Sequence, residues 1–396
     1  MKYNFDKIVD RKGTISLKWE NLKESFPKAK DDALSMWVAD MDFECAPCIL
    51  EALHNRVDRK IFGYNGESEE YIQVVSDFMK RRHDWEISRE SMRFSPGVIP
   101  ALGYLINILT QKGEGIIIQK PVYYPFIYLI ELNERKLVNN ALICKDHKYY
   151  IDFEDLEEKL KDENNKVLMF CSPHNPAGRV WTEDELKKVV ALCKKYDKII
   201  ISDEIHFDLT RKGITHHVLE TIDPSYRKRI ITCTAPSKSF NLAGLQNSNI
   251  FINDEEIRKK WDLFTKVVAH LDGANTFGIA ATMAAYRDGD EWLDECRDYI
   301  DGNIEYIKNF VREQMPKAHY IDCEGTYLVW LDLSDYGYTS EMLDTIITEE
   351  ANVLLDGGSI FGKEGDGFER INVACPRAYV ETCMNSIKRA LENHRG

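Results

Sequence analysis

Five short apolar runs set the first constraint on the fold. They are Gly115-Ile116-Ile117-Ile118, Val167-Leu168-Met169-Phe170-Cys171, Ile199-Ile200-Ile201, Ile230-Ile231-Thr232-Cys233 and Asn249-Ile250-Phe251-Ile252. None alternates apolar and polar residues, so none reads as a strand with one wet face. Runs of this length, separated by helical stretches, read as strands of a parallel sheet covered on both faces. One of the covering helices opens on a T-x-x-E capping box, Thr182-Glu183-Asp184-Glu185, and presents Leu186, Val189, Val190 and Cys193 on one side.

An open α/β sheet gathers its chemistry outside the carboxyl ends of its strands. The candidates are therefore the polar residues just past each run. Tyr123 follows the first, in a loop fixed by Pro121 and Pro125. Asn175 follows the second, Asp203 and His206 the third, and Ser237 and Lys238 the fourth. Earlier in the chain, Phe94-Ser95-Pro96-Gly97-Val98 places small residues before a helix, which makes an anion cradle from backbone N–H groups and the helix dipole. A lysine and a carboxylate on neighbouring strand ends match the needs of pyridoxal phosphate. The lysine holds the aldehyde, and the carboxylate pairs with the pyridinium nitrogen so that the ring can accept electrons.

The remaining composition narrows the partners. The 396 residues carry a net charge of −14, which disfavours nucleic acid and anionic membrane as partners. The N-terminus has no signal-peptide pattern and no apolar run approaches a membrane span, so a cytoplasmic protein is expected. The ten cysteines show no disulfide spacing. Cys45-Ala46-Pro47-Cys48 is a C-x-x-C without a second such pair or an H-x-x-x-H, so no metal site is expected, and Pro47 reads as a helix entry. The predicted organisation is an N-terminal arm with part of a small domain over 1–46, a large domain over 47–287, and a smaller α+β domain over 288–396. The last contains a long charged helix over 291–313, a strand over 327–331, a helix over 340–351, a turn over 355–359 and a strand over 370–375.

Three of these segments carry a resemblance. Ser172-Pro173-His174-Asn175-Pro176-Ala177-Gly178-Arg179, Ser202-Asp203-Glu204-Ile205-His206 and Ser237-Lys238-Ser239-Phe240-Asn241 resemble the signature of fold-type-I pyridoxal-phosphate enzymes, the class I/II aminotransferase superfamily. Lys18-Trp19, Met36-Trp37-Val38-Ala39-Asp40-Met41-Asp42-Phe43 and Asn372-Val373-Ala374-Cys375-Pro376-Arg377 narrow the likeness to the cystathionine β-lyase, or C–S lyase, branch. The resemblance spans essentially the whole chain. It implies a large domain with a mostly parallel seven-stranded sheet between helices, a smaller α+β domain, and a homodimer with shared sites.

The same likeness implies residue roles. Lys238 binds the cofactor aldehyde, Asp203 pairs with the ring nitrogen, Asn175 bonds the ring hydroxyl and Tyr123 stacks on the ring. Gly97, Val98 and Ser237 hold the phosphate, with Tyr64 reaching it from a second subunit. Arg377 clamps the substrate carboxylate, Asn175 also contacts the substrate, and the loop around Ala39 and Asp40 closes the substrate side. Two positions depart from many relatives: His206 stands where a Tyr is common, and Gln246 where an Arg serves the phosphate. His206 stands between a role at the ring and that of a satisfied, half-buried histidine. The implied reaction is β-elimination from L-cystathionine or other cysteine S-conjugates to a thiol, pyruvate and ammonia. The alternatives are an aminotransferase with the same cofactor, and a regulatory or binding protein that keeps the fold.

Overall fold

The computed structural model describes residues 1–20, 22–66, 68–271 and 273–394. A seven-stranded sheet is built from β1 (Met92–Ser95), β2 (Gly115–Ile118), β3 (Lys136–Asn139), β4 (Asn165–Cys171), β5 (Ile199–Asp203), β6 (Ile230–Thr234) and β7 (Ser248–Ile252). Their order across the sheet is β1-β7-β6-β5-β4-β2-β3. All pairings are parallel except those of β7, which runs antiparallel to both of its neighbours. The expected α/β architecture is therefore borne out, with one reversed strand.

The apolar runs explain why both faces are covered. Ile116, Ile118, Val167, Met169 and Ile201 point into one core with Ala101, Leu102, Leu105 and Ile106 of α1 (Val98–Leu109). Their sequence neighbours Ile117, Leu168, Phe170 and Ile200 point the other way. There they meet Leu186, Val189, Val190 and Cys193 of α2 (Glu183–Lys195). Each fully buried isoleucine contributes about 2–3 kcal/mol of transfer free energy. The capping box forms as expected: Glu185 N donates to Thr182 Oγ1 at 3.3 Å, and Thr182 N donates to Glu185 Oε2 at 2.8 Å.

After the sheet, α3 (Asp290–Gln314) runs 25 residues, within a residue of the expected bounds at either end. A second sheet is antiparallel, in the order β8 (His319–Tyr320), β9 (Leu328–Asp332), β11 (Phe368–Asn372), β10 (Asp356–Gly357). The closing helix α4 covers Arg377–Asn393. The expected helix over 340–351 is α-helical only to Thr345 and continues as a π-helical turn over Ile346–Glu350. Phe5, Met36, Met41 and Phe43 from the N-terminal stretch share one core with α3, α4 and the second sheet.

Residues 36–43 carry almost no regular structure, yet both ends are tied down. Met36 N donates to Leu354 O, Asn372 N to Met36 O, and Asp42 N to Ala374 O. This strap crosses the molecule above the carboxyl ends of the large sheet. Among the described residues, no helix is long and apolar enough to cross a membrane.

Candidate active site

The parallel register fixes the centre of the site. Asp203 closes β5 and sits between Cys171 of β4 and Cys233 of β6. The ladder continues one step past the strands, through Ser172 N to Asp203 O and Glu204 N to Cys233 O. The carboxylate is 4% exposed and receives one protein donor, Ile205 N, at 3.1 Å. Burial pushes it up to about 7, opposed by that hydrogen bond and by the charge of Lys238.

Lys238 sits on a single helical turn, Pro236–Ser239, directly after β6. Two contacts hold the turn. Ser239 Oγ donates to Asp208 Oδ2 at 2.5 Å, and the other oxygen of Asp208 meets His83 Nε2 at 2.8 Å. Asn241, at φ 57°, bonds the backbone of Met41 in both directions, so the lysine turn is laced to the strap. The Lys238 Nζ donates to Ala39 O at 2.6 Å. Burial lowers its pKa to about 8; Asp40 and Asp203 oppose that, and Arg370 adds to it.

Lys238 and Asp203 line one cavity of about 160 Å³ with Tyr123, Asn175, His206, Ala39, Ser237, Gly97 and Val98. A single water needs about a tenth of that space. The reversed strand explains which residues line one part of the cavity. Because β7 begins where β1 and β6 finish, Ser248 lies opposite Ser95, and Gln246, Asn247 and Ser248 meet Gly97 at one rim. Gly97 is the N-cap of α1 and has no side-chain cap, so the first N–H groups of the helix remain as donors. Lys238 is the one cationic side chain among the lining residues.

The loop after β4 supplies a free donor. Asn175 is 4% exposed, its Oδ1 accepts from Arg370 Nη1 at 3.1 Å, and its Nδ2 meets no acceptor among the described residues. Its carbonyl accepts from Tyr123 N, which fixes the aromatic beside it. Gly178 turns this loop at φ 66°, and a Cβ there would come within 3.0 Å of Cys323 Cα. His206 also lines the cavity. Its Nδ1 is buried without a partner among the described residues, so it is not a satisfied core histidine. Burial first, then Lys238 and Arg370, push it down and keep it neutral.

These observations fit pyridoxal phosphate. A buried carboxylate short of a cation, an unpaired amide donor, a lysine with a depressed pKa and an uncapped helix start converge on one ring-sized space. Among the described residues no group of three or more His, Cys, Asp or Glu is placed to hold a metal ion.

Two assignments, Arg377 and Asp40, differ from expectation. Arg377 does not reach the cavity: its Nε donates to Asn303 Oδ1 on α3 at 2.7 Å, and its guanidinium lies over Tyr306. It begins α4, past the end of β11, and so points at α3. The arginine beside the site is Arg370, in the middle of β11, which does not itself line the cavity but bonds Asn175, which does. It is 2% exposed, it bonds Asn175, Trp37 O and Asp356, and its Nε has no partner among the described residues. A signal was present, since an arginine between Phe368 and Ile371 in a strand is expected to be buried and must then be paired. Tyr64 is fully exposed and lines no part of this chain's cavity. Asp40 is beside the cavity but turns its carboxylate to Arg11 and Lys18. Cys45 and Cys48 are both free and half-buried, and burial pushes both thiols up.

The raised pKa of Asp203 makes the stability of the cofactor-free protein pH-dependent. Its folded pKa, about 7, lies above the usual carboxylate value, so the stability tied to its proton is present below pH 4 and lost as pH rises through 7. Cofactor-free Asp203→Asn protein is therefore expected to exceed the cofactor-free parent in stability by roughly 2–4 kcal/mol at pH 8, and by little at pH 4. Urea denaturation at the two pH values measures this; equal midpoints at pH 8 refute it.

Residues 32–387 match the profile of the aminotransferase class I and II family. Cystathionine beta-lyase PatB of Bacillus subtilis (strain 168) is 40% identical over 98% of this chain and 100% of its own length. The crystal structure of cystalysin from Treponema denticola, which contains pyridoxal 5'-phosphate, superposes with a TM-score of 0.95 at 39% identity, covering 99% of this chain and 100% of that one. The pyridoxal-phosphate-bound C-S lyase from Staphylococcus hominis gives 0.91 at 35% identity, with 98% of each chain covered.

Proposed function

The chain belongs to the aminotransferase class I and II family, and from that premise we propose that it is a pyridoxal-phosphate-dependent carbon–sulfur β-lyase. Its substrates are cysteine thioethers such as L-cystathionine, cleaved with water to a thiol, pyruvate and ammonia. The observation that carries the reading is the convergence of the Lys238 amine, the Asp203 carboxylate and the free Asn175 amide on one cavity.

When bound, the cofactor supplies an electron sink that acidifies the substrate's α-carbon. The protein's own groups do the rest. Asp203 would hold a proton at the ring nitrogen, a pairing that favours its charged carboxylate. Asn175 Nδ2 would serve the ring hydroxyl, with Tyr123 and neutral His206 lining the space for the ring. Gly97, Val98 and Ser237 would hold the phosphate, with Gln246, Asn247 and Ser248 lining the same cavity. Arg370, rather than Arg377, offers the planar fork to the substrate carboxylate. The freed Lys238 amine, with its pKa near 8, removes the α-proton at Nζ while Ala39 O keeps it in place.

A homodimer is part of the reading. Tyr64, Ile61, Phe62, Leu263, Val267 and Val268 are all exposed, and a second copy of this chain covers them and brings its Tyr64 to the phosphate. Ten free cysteines accord with a reducing cytoplasm.

The test is direct. Purified protein is expected to be yellow, and borohydride is expected to fix the cofactor on Lys238. Incubation with L-cystathionine and no keto acid is expected to release pyruvate and homocysteine in equal amounts. Transamination would need a keto acid and would leave the sulfur bonded, so absence of pyruvate from every cysteine thioether tried would sink the lyase reading.

A further inference from the structure

Four charged side chains outside the cavity are packed around the strap. Lys18 is completely buried; its Nζ donates to Asp42 Oδ2 at 2.6 Å and lies 3.7 Å from Asp40 Oδ1. Arg11 grips Asp40 with both ends of its fork, at 3.1 and 2.7 Å, and reaches Asp42 Oδ1 at 2.8 Å. Trp19 Nε1 adds a donor to Asp42 at 2.8 Å. The cluster is two cations on two carboxylates, and it fastens the segment that carries Ala39. From the other side, Asn372 Nδ2 binds Val38 O and Asp40 O, both at 2.6 Å. Ala39 O is thus held from two sides, and it receives both Lys238 Nζ and, at 2.9 Å, Tyr327 Oη.

The groups that face Lys238 come from four elements. Asp203 ends β5 and neutral His206 follows it, Arg370 lies on β11, the neutral Tyr327 hydroxyl precedes β9, and Asp40 belongs to the strap. Of these, Asp40 is the charge that does most to oppose the effect of burial on the amine. Its own counter-ion, Arg11, is 21% exposed and touches neither Lys238 nor the cavity.

We propose that Arg11 is a positioning residue for the reaction: by clamping Asp40 and Asp42 it fixes Ala39 O against the Lys238 amine and screens that amine from the Asp40 charge. The inference rests on Lys238 being the reacting amine, as proposed above. Its physical content concerns this chain alone. Removing the cation at residue 11 leaves Asp40 less compensated, so Lys238 binds its proton more tightly and a smaller fraction of it is the free amine at neutral pH. Removing the Asp40 charge does the opposite. A lysine at residue 11 keeps the charge but not the bidentate grip.

The experiment is competitive acetylation of cofactor-free protein with acetic anhydride across pH 6–11, following the peptide that contains Lys238 by mass spectrometry. Arg11→Gln is expected to raise the labelling midpoint by about one pH unit, and Asp40→Asn to lower it by a similar amount. Arg11→Lys is expected to stay near the parent midpoint. An unchanged midpoint in both Arg11→Gln and Asp40→Asn overturns the proposal, and so does an Arg11→Lys midpoint displaced as far as that of Arg11→Gln. Asp40→Asn is nearly isosteric and keeps the test decisive should Arg11→Gln not fold. Failure of the lyase reading would show instead as a colourless protein or absent pyruvate, and would leave these midpoints where they are.

Discussion

Lys238→Ala protein is expected to release pyruvate from L-cystathionine at least about 10⁴-fold more slowly than the parent. The amine is assigned two tasks, holding the cofactor aldehyde and taking the α-proton. Among the described residues no second amine lines the cavity to replace it. The fold should survive the change. The amine is a desolvated group whose pKa is already depressed, and Ala39 O keeps Tyr327 Oη as a donor when Nζ is gone. Thermal melts of the two proteins should therefore agree within a few degrees while turnover collapses. Small primary amines added to the variant should restore a fraction of the rate, because the cavity left by the side chain admits them. Retention of activity within about tenfold of the parent would remove Lys238 from the chemistry.

The second large effect is expected at Arg370. Arg370→Lys keeps a cation in β11 but loses the fork that spans Asn175, Trp37 O and Asp356. A carboxylate that depends on bidentate binding then loses about 10²–10³ in kcat/KM, most of it in KM. Arg370→Ala is the poorer probe, since it strands buried Asp356 without its partner and costs about 3–5 kcal/mol of stability. Arg377→Ala is the matched control: its guanidinium serves Asn303 and Tyr306, so kcat/KM should stay within about threefold. Steady-state kinetics on the three proteins decide the matter. If Arg377→Ala raises KM and Arg370→Lys does not, the two residues have been assigned in the wrong order.

The arginine pair marks where the sequence stops being sufficient. Arg370 lies in the middle of β11 and Arg377 opens the helix after it, seven positions on, and nothing local says which of them will serve the site. That is decided by register, where Arg370 pairs with Asp356 on β10 and β11 ends at Asn372. Asp203, Lys238 and Asn175 were legible because parallel strands bring their carboxyl ends to one edge whatever the details of the loops. The core strands were legible for the same kind of reason: two-sided burial demands apolar residues at every position. The edge strand β3 and the hairpin of Ile143–Lys145 with Lys148–Tyr150 were not, since one side of each faces water and their patterns are mixed. Arg11 and Lys18 lay furthest out of reach. They sit in a stretch with no periodicity, and only the folded chain shows that they meet Asp40 and Asp42.

The strap has a consequence for synthesis. Ala39 emerges from the ribosome early, while Asn372 and Arg370, which pin the strap and complete the wall behind Asn175, emerge among the last residues. A nascent chain can form the large sheet and expose the Lys238 amine long before anything holds Ala39 O against it. A polypeptide stopped before β11 would lack Asn372 and Arg370, and would present the Lys238 amine without the contacts that pin the strap and Asn175.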